Sequence, residues 1–162
     1  MTRHRLLSMA IGTALALTAA SAGAQAPPTY GPPITLEQAK KVMAGAEAEA
    51  KKNNWPVVIT ILDSGGNLVM TQRLDGAQFG SIDVARDKAY SAVAFRRPTK
   101  VFADALAQGG GNLRLLNLSG ASLLDGGWPI VIDGKIAGGI GVSGVTGAQD
   151  AQIGRAGIDA LK

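Results

Sequence analysis

The feature that most constrains the fold is a glycine-rich segment near the end of the chain, residues 126–144, which reads GGWPIVIDGKIAGGIGVSG. Asp133-Gly134 is a two-residue turn signal between two apolar runs, and such a signal predicts a hairpin of antiparallel strands. The second run also contains Gly139-x-Gly141-x-x-Gly144, the spacing of a dinucleotide-binding loop. That loop requires a helix followed by a parallel strand. Residues 145–162 suffice for one helix but not for the parallel strand that should follow it. We therefore interpret the segment as a hairpin strand and not as a dinucleotide-binding loop.

Side-chain alternation along this second strand predicts one face that is almost bare and one that is mostly apolar. The bare face consists of Ala137, Gly139, Gly141 and Ser143, and the other of Ile136, Gly138, Ile140 and Val142. Glycine inside a strand marks a close approach by another backbone or by a ligand. The bare face is therefore expected either to receive a closely packed helix or to form the floor of a flat ligand pocket.

The rest of the chain predicts helices and a further hairpin. Thr35 and Gln38 form a capping-box pattern that starts a helix. The other predicted elements are a strand at 57–63 buried on both faces, a returning strand at 68–75, helices near 81–96 and 99–107, a short strand within 121–124 and a closing helix at 147–161. Consecutive hairpins pair antiparallel, so the expected class is α+β, an antiparallel sheet packed with helices.

The beginning of the chain has the pattern of an export signal. Arg3 and Arg5 precede an apolar run at 6–20, and a small-residue cleavage pattern ends at Ala24. We therefore expect a signal peptide at 1–24, a proline-rich tether at 25–33 and one folded domain at 34–162. The expected location is the periplasm or outside the cell, with no membrane segment after cleavage.

The composition excludes several classes of catalytic and metal-binding sites. The chain has no cysteine, and its one histidine, His4, lies in the predicted signal peptide. Ser-His-Asp and Cys-His catalysis, zinc held by His or Cys, and haem held by His or thiolate are thereby excluded from the mature chain. Loss of Arg3 and Arg5 reduces the net charge from +4 to about +2, and no basic run exceeds two residues, so nucleic-acid binding has no support.

Two polar residues at the end of the first hairpin are candidates for binding a ligand. Arg73 and Asp75 are two positions apart and share a strand face. An arginine there can hold a carboxylate through paired hydrogen bonds. The alternative is an ion pair, either between Arg73 and Asp75 or across an interface.

Four further residues are candidates for the same pocket. Lys88 would add positive charge unless it is an ordinary solvated lysine. Thr99 starts a helix, where it is expected to cap the helix or to help bind an anion. Gly126 and Gly127 precede the last hairpin, either as a simple turn or as a ligand-contacting turn beside Trp128.

Catalytic residues are not apparent. Asp83 and Asp87 share one face of a helix, which favours two solvent-exposed carboxylates over an acid–base pair. No nucleophile is followed or preceded by a suitable base, so the sequence identifies no catalytic constellation.

Four motifs taken in order resemble one family. The segments ILDSGGNLVMTQRLDGA, ARDKAYSAVAFRRPT, GGWPIVIDGKIAGGIGVSG and QDAQIGRAGIDAL are similar to the GlcG/HbpS-like haem-binding domain family, which also occurs as the C-terminal domain of PduO-type proteins. The resemblance covers residues 34–161. It implies an antiparallel sheet of about five strands with helices on its faces, a homo-oligomer and, in some members, bound haem or a related tetrapyrrole.

The sequence departs from that family in one respect, because some members are thought to hold haem through a histidine. The side chains left as iron ligands are Tyr30, Tyr90, Met43 and Met70, with Lys and Thr side chains as weaker ligands. Met43 and Met70 occupy apolar-face positions and are expected to fill the core, and Tyr90 is expected on a helix surface or at an interface.

Three functions follow as alternatives. The first is an exported protein that binds haem or another tetrapyrrole without a histidine ligand. The second is an accessory protein or enzyme that acts on a small organic acid held by Arg73. The third is a self-assembling domain that has no ligand.

Overall fold

A computed structural model describes residues 26–162 of the chain. Its helices are α1 (Leu36–Lys52), α2 (Ser81–Ala94), α3 (Lys100–Ala107) and α4 (Gly147–Asp159), and its strands are β1 (Val58–Asp63), β2 (Leu68–Arg73), β3 (Gly127–Ile132) and β4 (Lys135–Ser143). A 3-10 helix, Gly110–Asn117, follows α3. The four strands form one antiparallel sheet in the order β2-β1-β4-β3, with helices on both of its faces. The α+β class with an antiparallel sheet is therefore confirmed.

The sheet lies between two helical layers. Helices α1 and α4 pack against each other and cover one face, where Ile59, Ile61, Ile140 and Ile153 belong to the main hydrophobic core. Helix α2 covers the other face and contacts β1, β3 and β4. Every residue of β1 except the last is buried, as expected for a strand covered on both sides.

The bare face of β4 receives helix α2. A Cβ atom placed on Gly141 would overlap the carbonyl oxygen of Ala85 and lie 2.5 Å from the amide nitrogen of Ala89. A Cβ on Gly139 would lie 2.6 Å from Val93 Cγ2. These glycines are thus required for close packing of a helix on the sheet, and this part of β4 is not the floor of a ligand pocket.

The predicted alternation fails at one residue of β4. Ile130 pairs with Gly138 and Val131 pairs with Ile136, so Ala137 is an extra residue in β4. Ala137 lies in the main hydrophobic core together with Ile140, and not on the face of Gly139 as predicted. A β-bulge of this kind shifts the pleat by one residue, which simple alternation does not anticipate.

The local turn and capping signals are confirmed. Asp133 and Gly134 both have positive φ, +50° and +73°, as the predicted two-residue turn requires. The hydroxyl of Thr35 accepts a hydrogen bond from the Gln38 amide, and the Gln38 side chain accepts from the Thr35 amide. A second capping box starts α4 at Thr146, which the sequence reading had not identified.

Other expectations need correction. Residues 121–124 do not form the predicted strand. The described sheet has four strands, in agreement with the expectation of about five, and an isolated parallel bridge joins Tyr30 to Ile136 of β4. Backbone hydrogen bonds from 29–34 to β4 accompany this bridge, so the described end of the predicted tether lies along the sheet.

The predicted signal peptide and its cleavage point lie outside the described residues. The boundaries of tether and domain stay predictions. No helix within residues 26–162 is long and apolar enough to cross a membrane.

Candidate functional site

The six predicted site residues fall into two separate groups. Arg73 ends β2 at one edge of the sheet, whereas Gly127 begins β3 at the opposite edge. Strands β1 and β4 lie between them, which at about 4.8 Å per strand separates the two edges by about 14 Å. The structure therefore does not bring the six residues together into one pocket.

The first group surrounds a buried ion pair. Lys88 Nζ lies 2.8 Å from Asp150 Oδ2 and also donates to the carbonyl oxygen of Val142 at 2.9 Å. Both charged side chains are 3% exposed. Lys88 is therefore neither a solvated lysine nor a pocket cation, because its charge is used to join α2 to α4.

Asp150 was not identified by the sequence reading, although it completes this pair. Its Oδ1 accepts a hydrogen bond from the Val145 amide. Burial raises the pKa of the Asp150 carboxyl, and the neighbouring Lys88 ammonium opposes that shift. The capping box at Thr146 was the available signal, since it places Asp150 in the first turn of α4.

Thr99, Gly126 and Gly127 close the space around the pair. Thr99 occupies the N-cap position of α3 as predicted, but its side chain does not cap the helix, because the buried hydroxyl accepts a hydrogen bond from the Gly127 amide at 2.9 Å. A Cβ on Gly126 would lie 2.9 Å from Lys88 Nζ, and a Cβ on Gly127 would lie 2.6 Å from Thr99 Cγ2. Atoms of the protein itself fill the space around the Lys88–Asp150 pair, so this group of residues has a structural function.

Trp128 also serves the fold. Its indole Nε1 donates to the carbonyl oxygen of Ala151 at 3.1 Å, and its ring packs against Gly154 of α4. The guanidinium of Arg155 lies 5.8 Å from the ring centroid. Trp128 therefore fixes β3 to α4.

The second group borders an open groove of about 590 Å³. Arg73 and Asp75 line it together with Glu47, Lys51 and Trp55. A hydrogen bond from Lys51 lowers the pKa of the Glu47 carboxyl, and the opposite charges of these two residues offset each other. Arg73 and Asp75 are exposed and form no ion pair with each other or with any other described residue. Besides the Lys51–Glu47 pair, the groove thus presents one cation and one anion that have no ion-pair partner among the described residues.

A third region lies on the outer side of α2. A cavity of about 360 Å³ is lined by Tyr90 and by residues of the loop after the 3-10 helix. Four of its eight lining residues have apolar side chains, Val84, Ala121, Leu123 and Leu124, and Ser122 and Tyr90 add hydroxyl groups. Asp87 also lines it, while Asp83 is exposed on the same helix, so neither carboxylate belongs to a buried acid–base pair.

The four candidate iron ligands have different environments. Met43 is 3% exposed within the main core, and Met70 packs against the same core, as predicted for core-filling residues. Tyr30 donates its phenol hydrogen to the carbonyl oxygens of Val93 and Ala94 at 3.0 and 3.1 Å. Tyr90 is 45% exposed, and its phenol makes no hydrogen bond to a described residue.

Among residues 26–162, no group of three or more His, Cys, Asp or Glu side chains is placed to hold a metal ion.

The fold and its cavities define a three-layer α+β domain with a closely packed interior and open surface recesses, among them the groove at Arg73 and the cavity at Tyr90. The family described as "Haem degrading protein HbpS-like" matches residues 34–159. The chain therefore belongs to the HbpS-like family, which confirms the resemblance seen in the sequence. Protein GlcG of Escherichia coli K12 is 36% identical over 110 residues, which are 68% of this chain and 81% of that protein.

Solved structures agree with this assignment. HbpS superposes with a TM-score of 0.74 at 36% identity, covering 83% of this chain and 94% of that one. The PduOC:heme complex superposes with a TM-score of 0.71 at 28% identity, covering 79% and 94% of the two chains. One relative of this fold is thus known with haem bound.

Proposed function

We propose that the mature chain is an exported protein that binds haem or another tetrapyrrole. The observation that carries the proposal is the apolar cavity on the outer side of α2, where Tyr90 presents a phenol that no described residue uses. The family description and the PduOC:heme complex support haem as the ligand.

The residues of this cavity fit a tetrapyrrole. Its apolar lining suits a flat macrocycle, and tyrosine is an established haem ligand. A volume of about 360 Å³ is at the lower end of the range for ligand pockets of about 300–1,000 Å³.

The test is a titration of the purified mature protein with haemin, followed by visible absorption. A saturable change of the Soret band at micromolar haemin is expected. No saturable change would refute the proposal. Binding in the cavity of α2 predicts that Leu124→Asp weakens binding, whereas Arg73→Ala in the groove does not. Leu124 is 57% exposed, so the charge should be tolerated by the fold.

Export is supported by the pattern of residues 1–24. We expect the protein in the periplasm or the medium, beginning at Gln25. Mass spectrometry of the protein recovered from fractionated cells tests this, and a full-length cytoplasmic product would contradict it.

A homo-oligomer is supported by apolar side chains that the described chain leaves uncovered. The 3-10 helix has no buried residue. Four leucines in and after it are at least 38% exposed: Leu113, Leu116, Leu118 and Leu124. A second copy of the chain would remove this apolar surface from water. Light scattering should give a multiple of the subunit mass, and Leu116→Lys should lower it.

A second candidate function is the binding of a small organic acid in the groove. Arg73 favours it, because its guanidinium faces the groove without an ion-pair partner among the described residues. A ligand that binds only the native state raises the melting temperature. We expect a carboxylic acid from a panel to do so for wild type and for Lys41→Gln, but not for Arg73→Gln. If neither haemin nor any acid binds, the ligand-free assembly is the remaining function.

A further inference from the structure

We infer that Tyr90 supplies the oxygen that ligates the haem iron. The inference rests on the proposed function, since it names the iron ligand of the same site. It is carried by three properties of the chain: the exclusion of other ligating side chains, the fixed position of the Tyr90 ring, and the cavity beside it.

The other three named candidates for iron ligation, and also Lys88, are packed in the core or bonded to the protein. Residues 26–162 contain no His or Cys. Met43 is enclosed in the main core, and Met70 packs against it. The phenol of Tyr30 is occupied by two backbone carbonyl groups at the end of α2. Lys88 is held by Asp150. Within the described chain, Tyr90 combines a ligating atom, solvent access and a phenol oxygen without a protein partner.

Two glycine turns hold the Tyr90 ring. A Cβ on Gly66 of the β1–β2 hairpin would lie 3.3 Å from one edge of the ring, and a Cβ on Gly120 would lie 3.0 Å from the other edge. Both glycines have positive φ, +81° and +77°, so each turn favours the residue that leaves room for the ring. The ring thus lies between the two turns, and its hydroxyl has no hydrogen-bond partner among the described residues. A preorganised side chain of this kind loses little freedom when it binds.

The chemistry required of Tyr90 is simple. On binding, its phenol releases a proton to solvent, and the oxygen donates a lone pair to ferric iron in place of a bound water. The iron keeps its oxidation state. Val84, Leu123 and Leu124 provide apolar contacts for the macrocycle beside this oxygen. Tyrosine ligates haem iron in the same manner in other proteins.

The experiment compares three variants of the full mature chain with wild type in haemin titrations. Tyr90→Phe removes the ligating oxygen and should weaken haemin binding at least tenfold. Tyr30→Phe makes the same change in the other tyrosine and should leave both affinity and spectrum unchanged. Tyr90→His should restore binding with a different spectrum, because the ligand is then nitrogen. Resonance Raman spectroscopy should show an iron–phenolate vibration in wild type and in Tyr30→Phe alone.

The outcomes separate this inference from the proposed function. If wild type does not bind haemin, the proposed function fails. If wild type binds and Tyr90→Phe retains the same affinity and Raman spectrum, the inference about Tyr90 is wrong while haem binding stands. Circular dichroism of Tyr90→Phe guards against loss of fold, and restored binding in Tyr90→His would exclude it independently.

Discussion

The inner and outer sides of helix α2 differ in almost every physical respect. Lys88 and Tyr90 are two residues apart, which places them about 200° apart around the helix axis. Lys88 is 2% exposed and bound to Asp150, whereas Tyr90 is 45% exposed and its phenol has no partner among the described residues. One helix thus serves the interior with one side and borders an open cavity with the other.

The difference shows that a charged side chain is not by itself evidence of a binding site. Lys88 is the more obvious ligand-binding residue by type, but the glycines of β3 and β4 bring the sheet so close to α2 that no space remains beside it. Tyr90 lies between the glycine turns at Gly66 and Gly120, and it lines a cavity together with the loop after the 3-10 helix. Backbone proximity, more than residue type, separates the packed side of α2 from the side that borders the cavity.

The largest effect is expected from breaking the inner ion pair. Lys88→Met leaves the Asp150 carboxylate buried without its counter-charge, and such a loss costs about 3–5 kcal/mol of unfolding free energy. Urea denaturation at neutral pH measures it. Lys41→Met is the matched control, because the Lys41–Glu37 pair is exposed and should contribute less than about 1 kcal/mol. A loss below about 1 kcal/mol in Lys88→Met would contradict a structural pair.

The destabilisation of Lys88→Met should depend on pH. Burial already raises the pKa of Asp150 above its ordinary value of 3.8, and removal of Lys88 raises it further. In the variant, the folded-state pKa of Asp150 lies above its unfolded-state pKa. Between those two values the native state binds more protons than the unfolded state, so the free energy of unfolding falls as pH rises through that window. The deficit relative to wild type should therefore be smaller near pH 4 than at pH 7. An equal deficit at both pH values would show that the carboxylate is not the source.

The next largest effect concerns the glycine contact on the same side. Gly141→Ala places a Cβ against the backbone of Ala85 and Ala89, which cannot move without displacing α2. Overpacking usually costs about 1–3 kcal/mol, and rigid backbone neighbours favour the upper value. Gly111→Ala, where a Cβ would meet nothing within 4 Å, is the control and should change stability by less than about 0.5 kcal/mol. Equal stability of the two variants would contradict close packing of α2 on β4.

Features set by neighbouring residues could be predicted from the sequence. The turn at Asp133-Gly134 and the cap at Thr35 depend on backbone preferences within four residues, and both are present. The strand β1 was recognised because its β-branched run fits burial on both faces. The family followed from several such motifs in a fixed order.

Contacts that join distant elements could not be predicted in the same way. Lys88 and Asp150 are 62 residues apart, and their pairing depends on how α2 and α4 flank the end of the sheet. Thr99 meets Gly127 across 28 residues, which is why its helix-start position suggested a cap instead. The bulge at Ala137 arises from pairing between strands, so the periodicity of β4 alone does not reveal it.

A smaller effect is expected at Thr99, which ties the start of α3 to the inner side. Thr99→Val keeps the shape of the side chain but leaves the buried Gly127 amide without its acceptor. An unsatisfied buried donor costs about 1–3 kcal/mol. Thr99→Ser retains the oxygen and should lose less. Chemical denaturation of both variants is the measurement, and a Val variant as stable as the Ser variant would contradict the importance of this hydrogen bond.

The smallest effect is expected on the outer side, where the two tyrosines can be compared without any ligand. Tyr30→Phe removes a phenol that donates to Val93 and Ala94 at the end of α2, and should cost about 1 kcal/mol. Tyr90→Phe removes a phenol with no partner in the described chain, so the free energy of unfolding should change by less than about 0.5 kcal/mol. Thermal and urea denaturation of the ligand-free proteins test the pair. A loss in Tyr90→Phe as large as in Tyr30→Phe would mean that the Tyr90 oxygen already has a structural partner, and the two sides of α2 would then differ less than their exposures indicate.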